Sequence, residues 1–171
     1  MDRIDICESI TLHKVAFILN PDDEWSKFPS HLKPIVEREW YEFKYFENDA
    51  KTINPVFKNI PNSCGGIYLF CIKPNIIPSV HLYLGYIGRA KKTQYQNLRK
   101  RVSEYAAETG RQKIYLMKHY WGQYLYVRYL PLPDQSNQVI DELEEALIKA
   151  ALPPFNDVYP KVYNQAIKSA F

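Results

Sequence analysis

Sulfur is scarce in this chain. Of 171 residues only Cys7, Cys64 and Cys71 are cysteines, an odd number with no Cys-x-x-Cys pair. That excludes a disulfide framework and a zinc ribbon as the organising device and points to a reducing, cytoplasmic compartment. The four histidines, His13, His31, His81 and His119, are scattered and form no His-x-x-x-His pair. They read as isolated surface or core positions, because metal ligands come at closer and more regular spacing. No uncharged run reaches the roughly 20 apolar residues of a membrane span. The N-terminal MDRIDICES is acidic and has no apolar core, so secretion is not expected. Internal repeats and low-complexity runs are also missing.

What is present suits a globular fold. Apolar residues make up 46% and charged residues 24%, near the averages for soluble domains. Aromatics reach 15%, with 14 tyrosines, a load that suits surfaces needing an apolar body with a polar tip.

Charge is distributed unevenly. Residues 1–60 carry 8 basic and 11 acidic side chains, and residues 131–171 carry 3 and 6. Residues 86–130 carry 10 basic groups against 2 acidic ones. The basic middle segment is an electrostatic footprint for a polyanion, with a solvated helical face as the plainer explanation. Tyrosines interleave with those cations, Tyr86, Tyr95, Tyr105, Tyr115, Tyr120 and Tyr124 among them. That mixture favours nucleic acid over a membrane surface. Lys91, Lys92, Arg99, Lys100, Arg111 and Lys113 are the candidate nucleic-acid contacts.

The pattern along the chain predicts an α+β fold, a small, mainly antiparallel sheet flanked by helices, with an N-terminal α/β extension. Thr11–Leu19 reads as a strand stopped by Asn20-Pro21, and Asp22-Asp23-Glu24 as the cap of a short helix. Pro34 opens a helix expected to reach about Phe46, with Ile35, Trp40, Phe43 and Phe46 as its apolar residues. The break at Asn59–Gly66 divides an extension, residues 1–60, from a main domain, residues 61–171. Beyond it come strands Ile67–Ile72 and His81–Ile87, joined by the turn Lys73–Ser79 as an antiparallel hairpin. Helices Tyr95–Ala107 and Arg111–Trp121, a strand Tyr124–Leu130, a loop Pro131–Asn137 and a helix Asn137–Ala151 complete the order.

Two helices place charged groups beside an apolar stripe. In the last one, Ile140, Leu143, Leu147, Ala150 and Ala151 form the stripe, by the 100° helical step. Glu145 falls opposite it, in solvent, where a pair with Lys149 accounts for it. Glu144 falls about 80° from the stripe centre, where a carboxylate is held still enough to serve as a ligand. In the Tyr95–Ala107 helix, Leu98, Val102 and Tyr105 face inward and Arg99 and Lys100 face away. Arg101 sits on the border, one turn from Tyr105, where a packed stem could aim its planar fork at phosphate.

These pieces resemble the GIY-YIG nuclease family. Gly66-Ile67-Tyr68 and Tyr86-Ile87-Gly88 match its two signature tripeptides. Arg89-Ala90-Lys91 and then Asn97-Leu98-Arg99-Lys100-Arg101 follow as in its arginine helix, particularly that of the bacterial excision-repair incision subunit. Glu144 to Lys149, Pro153 and Asn156 match its glutamate helix and the segment after it. The likeness covers about residues 64–160, and the whole chain could stand as a restriction-like member. It implies Tyr68 and Tyr86 as active-site tyrosines, Arg101 as phosphate contact, Glu144 as the one acidic metal ligand, and Tyr105 and Asn156 as supporting residues. Arg89 stands where many relatives have Lys, and it can act only as a cation and donor. The implied activity is hydrolysis of DNA phosphodiester bonds with one Mg²⁺ or Mn²⁺ per site. A tyrosine would orient or deprotonate the attacking water, though only about 0.1% of a free phenol is ionised at pH 7. A double-strand cut needs two sites or two visits, so a homodimer is one expectation. A catalytically idle binding module of the same fold and a protein-interaction domain are the other readings the residues allow.

Overall fold

The computed structural model describes residues 26–73 and 83–157. Helix α1 (Lys33–Val36) is one turn long and carries Pro34 in its first turn. Strand β1 (Tyr41–Lys44) and a 3-10 turn (Pro55–Asn59) lead to the central hairpin, β2 (Gly65–Ile72) and β3 (Tyr83–Ala90). Helices α2 (Leu98–Ala107) and α3 (Gln112–Trp121) precede β4 (Leu125–Leu132), and α4 (Asn137–Ala151) follows it. The four strands form one antiparallel sheet in the order β1-β4-β2-β3. The expected fold class is therefore the observed one. Among the described residues no helix is long and apolar enough to cross a membrane.

The central strand explains its own composition. β2 is GGIYLFCI and is buried at all but Leu69, because helices cover both faces of the sheet. A strand buried on both sides reads as a continuous apolar run rather than an alternation. On one face Tyr68, Phe70, Tyr86, Val127 and Tyr129 pack under Leu98, Val102 and Tyr105 of α2 and Ile114 and Met117 of α3. On the other, Ile67, Ile87, Leu130 and Leu132 pack against Ile140, Leu143 and Ile148 of α4, with Phe28, Leu32 and Ile35 alongside.

The helix expected from Pro34 to about Phe46 is corrected. It stops at Val36, where the Trp40 indole N–H donates to the Val36 carbonyl at 2.8 Å. Residues 41–44 extend instead and pair with Tyr126–Tyr129 of β4. Phe43 and Tyr45 then point into the same core as Tyr68, a period-two placement that the wider apolar spacing concealed. Pairing across the sheet outweighs local pattern in so short a segment. Several boundaries also move, and β2 begins at Gly65 while β3 runs on to Ala90. α2 begins at Leu98 rather than Tyr95, because the Asn97 side chain caps it by accepting from the Lys100 N–H at 2.9 Å. β4 continues through Pro131 to Leu132. Pro131 lies past the end of β1, where β4 has a neighbour on one side only and a missing N–H is tolerated.

Residues on the N-terminal side of the Asn59–Gly66 break share the sheet and core of those beyond it. Phe43, Tyr45, Phe46 and Ile60 belong to one buried cluster with Tyr68 and Phe70, and the Tyr45 hydroxyl donates to the Val102 carbonyl of α2 at 2.8 Å. The strand expected at Thr11–Leu19, the cap at Asp22–Glu24 and most of the Lys73–Ser79 turn lie outside the described residues.

Candidate active site

Three tyrosines on three elements meet at their hydroxyls. Tyr68 on β2 and Tyr86 on β3 lie on the face covered by α2, and Tyr105 comes down from α2. The Tyr68 and Tyr105 hydroxyls are 2.7 Å apart, and Tyr105 donates to Tyr86 at 3.0 Å. Each phenol has a single proton, so Tyr68 donates to Tyr105 and the chain runs from Tyr68 to Tyr86. The rings are almost fully buried, at 1% exposure for Tyr68 and Tyr105 and 8% for Tyr86. Mutual hydrogen bonding answers the penalty of placing phenols in an apolar core.

Glycines make this arrangement possible. A methyl on Gly88 would lie 2.4 Å from the Tyr68 hydroxyl, so the signature glycine on β3 leaves the space the Tyr68 ring occupies. A methyl on Gly66 would lie 2.3 Å from the Leu130 carbonyl and 3.1 Å from the Leu98 side chain. That glycine lets β2, β4 and α2 approach closely.

Two arginines border the phenols. Arg101 lies 5.5 Å from the centre of the Tyr105 ring and donates to Glu104 at 3.1 Å. Arg111, just before α3, donates to the Tyr86 hydroxyl at 3.2 Å, and its guanidinium is 4.7 Å from the Tyr105 ring. Burial pushes the Tyr68 hydroxyl well above its ordinary pKa, reinforced by Tyr105 and Tyr86 and opposed by Arg101. Tyr86 is raised in the same way, by burial first and Tyr105 second, with Arg111 opposing. Tyr68 and Tyr86 therefore keep their protons at neutral pH.

A second polar group sits on the α4 side. Ser136 caps α4 by accepting from the Val139 N–H at 3.3 Å. Glu144 is only 13% exposed and pairs with Arg89 of β3. Its border position matches the helical-wheel placement, and Glu145 is exposed as expected. Asp141, one turn earlier, also pairs with Arg89 and meets Lys91 at 2.6 Å. Asp141 was not singled out from the sequence. Its spacing of three from Glu144 is the signal that could have found it.

The two groups occupy opposite faces of one strand. β3 is the edge of the sheet, and successive residues of a strand point to opposite sides. Tyr86 therefore joins the phenols and Arg89 joins Glu144, about 10 Å apart along the strand at 3.3 Å per residue. Asn156 ties this strand in place. Buried at 5% exposure, its amide accepts from the Ile87 N–H at 2.9 Å and donates to the Ile87 carbonyl at 2.8 Å. Phe155 donates to the Gly85 carbonyl at 3.0 Å, beside the register shift opposite Phe70 and Cys71. Asn156 positions β3 through its backbone rather than reaching Tyr86 or Glu144.

The basic residues divide by partner. Arg99, expected in solvent, is corrected: it is half-buried and donates to the Ile60 carbonyl at 2.6 Å. Lys100 donates to the Tyr95 carbonyl at 2.8 Å, and Lys113 to the Asn156 carbonyl at 3.0 Å. Lys92 is exposed, and its backbone exchanges two hydrogen bonds with the Asn137 side chain. Lys118, also missed, ends α2 by donating to the carbonyls of Tyr105, Ala106 and Glu108.

Among the described residues no three His, Cys, Asp or Glu side chains converge as a metal cage. Glu144 with Asp141 nearby is a hard-oxygen donor set. It fits a cation that keeps water and takes phosphate oxygens, as Mg²⁺ does, provided Arg89 shares the carboxylates. Comparison of the chain with protein-family models, with curated proteins and with solved structures found no match.

Proposed function

We propose that the protein is a metal-dependent endonuclease of the GIY-YIG type, acting on DNA phosphodiester bonds in the cytoplasm. The observation that carries this reading is the Tyr68–Tyr105–Tyr86 hydroxyl chain bordered by Arg101 and Arg111. A buried line of neutral donors bordered by a cation toward each end, Arg101 by Tyr68 and Tyr105 and Arg111 by Tyr86, suits a negatively charged group whose charge shifts during reaction.

The roles follow from placement. Tyr86 is the most exposed of the three phenols, and its oxygen accepts from both Tyr105 and Arg111. Its own proton is left to hold or exchange with a water at the edge of β3. Arg101 offsets phosphate charge, and Arg89 does so from the other side of the strand. Bound at Glu144, Mg²⁺ would supply Lewis-acid polarisation of the phosphate. Asn156 keeps Tyr86 and Arg89 in register by gripping the backbone of Ile87 between them. Cutting both strands requires two copies or two encounters, which a homodimer would provide.

Plasmid cleavage by the purified protein with Mg²⁺, with EDTA and with Glu144→Ala tests the reading. The expected result is metal-dependent cutting that falls about a thousandfold in Glu144→Ala, the equivalent of about 4 kcal/mol of transition-state stabilisation. Retained DNA binding without any cutting would replace it with the idle binding module.

A further inference from the structure

We infer that Arg111 and Arg101 form a two-arginine clamp for backbone phosphate, built on the Tyr105 ring and closed by the Tyr86 hydroxyl. The identity of the ligand as nucleic acid rests on the nuclease reading. The clamp itself rests on geometry. Sequence resemblance implies one arginine, Arg101. Arg111 comes from the segment between α2 and α3 and reaches the same ring from there.

The two guanidinium carbons lie 5.5 Å and 4.7 Å from the centre of Tyr105. Their side chains are 34% and 30% exposed, so the stems are packed and the forks reach water. Each is steadied by a carboxylate three residues away: Glu104 at 3.1 Å from Arg101, Glu108 at 3.2 Å from Arg111. Arg111 uses Nε for Glu108 and Nη1 for Tyr86. A guanidinium has five N–H donors, so both arginines keep donors for an anion. Other cations of the basic segment are occupied with carbonyls: Arg99, Lys100, Lys113 and Lys118. Both guanidiniums border the Tyr105 ring, Arg101 toward Tyr68 and Arg111 toward Tyr86, and a phosphate that reaches both takes donors from each. Because Arg111 also donates to Tyr86, phosphate held there lies beside the hydroxyl proposed to handle the water. Lysine could keep the charge but not the two-way geometry.

The test has two arms. In the first, binding of a short DNA duplex is measured in EDTA across a salt series. Arg111→Gln is expected to flatten the plot of log affinity against log salt by about 0.9, one phosphate contact. Arg101→Gln should do the same, and Arg111→Lys should keep the slope. In the second arm, inorganic phosphate is titrated into the parent protein while the Nε–H resonances of Arg101 and Arg111 are followed by NMR. Both are expected to move together. An unchanged slope in a folded Arg111→Gln, or an Arg111 resonance blind to phosphate, overturns the clamp and leaves the nuclease reading standing if the parent cuts. A parent that binds no DNA but shows both resonances moving keeps the clamp and removes the nuclease reading. If Arg111→Gln does not fold, the phosphate titration of the parent decides.

Discussion

The two faces of the sheet solve the same problem differently. The α2 and α3 face is aromatic, and three of its buried polar groups are neutral hydroxyls bonded to one another. The α4 face is aliphatic, and its polar atoms are charged and kept at the rim, where Arg89 meets Asp141 and Glu144. Neutral donors survive deep burial when chained, whereas an ion pair taken equally deep would lose more hydration than it regains. The phenols are therefore held still beneath a rim where Arg101 and Arg111 reach water, and the α4 face carries its own charged rim at Arg89.

Substitutions separate these contributions. Gly66→Ala should have the largest effect, because its methyl would meet the backbone carbonyl of Leu130, which has no rotamer to change. We expect a loss of about 3 kcal/mol or more, seen as a protein already unfolded or melting far below the parent by circular dichroism. Leu143→Ala should remove about 3 kcal/mol through a cavity on the aliphatic face, with urea midpoints equally shifted at every pH tested. Tyr105→Phe should remove about 2 kcal/mol, because it strands the Tyr68 proton and takes a donor from Tyr86. Adding Tyr68→Phe to it should cost less than the separate losses summed, since the stranded group goes too. Additive urea-denaturation energies would show that the hydroxyls are not coupled.

The smallest expected effect lies away from both faces. The Asp49 carboxylate accepts from the Thr52 hydroxyl and from the Thr52 and Lys51 N–H groups, and the Thr52 hydroxyl leads in holding its pKa down to about 2. A folded value below the unfolded one means that stability is present above the ordinary carboxylate range and lost as pH falls toward 2. Asp49→Asn should flatten that part of the acid limb, measured by urea midpoints at pH values between about 5 and 2.

Much of the site was legible because helical phase is local. Glu144 and Arg101 were placed at stripe borders from a 100° step, and both are there. Asn137–Ala151 was bounded correctly because its apolar period is strong and unbroken over those residues. The segment 34–46 was misread because Ile35, Trp40, Phe43 and Phe46 suit a helix until β4 is beside them. Arg99 was placed in solvent because nothing near it in sequence announces the Ile60 carbonyl, 39 residues away.

The amino-acid order by itself determined the hairpin, the three later helices, the α+β class and the phase of each helix, because hydrophobic period and capping act over a few residues. Only the tertiary structure decided that β1 joins the sheet, that three phenols form one directed chain, that Arg111 closes it, and that Asn156 acts through the backbone of Ile87. Those pairings join residues far apart in the chain, and their register comes from packing rather than from any local signal.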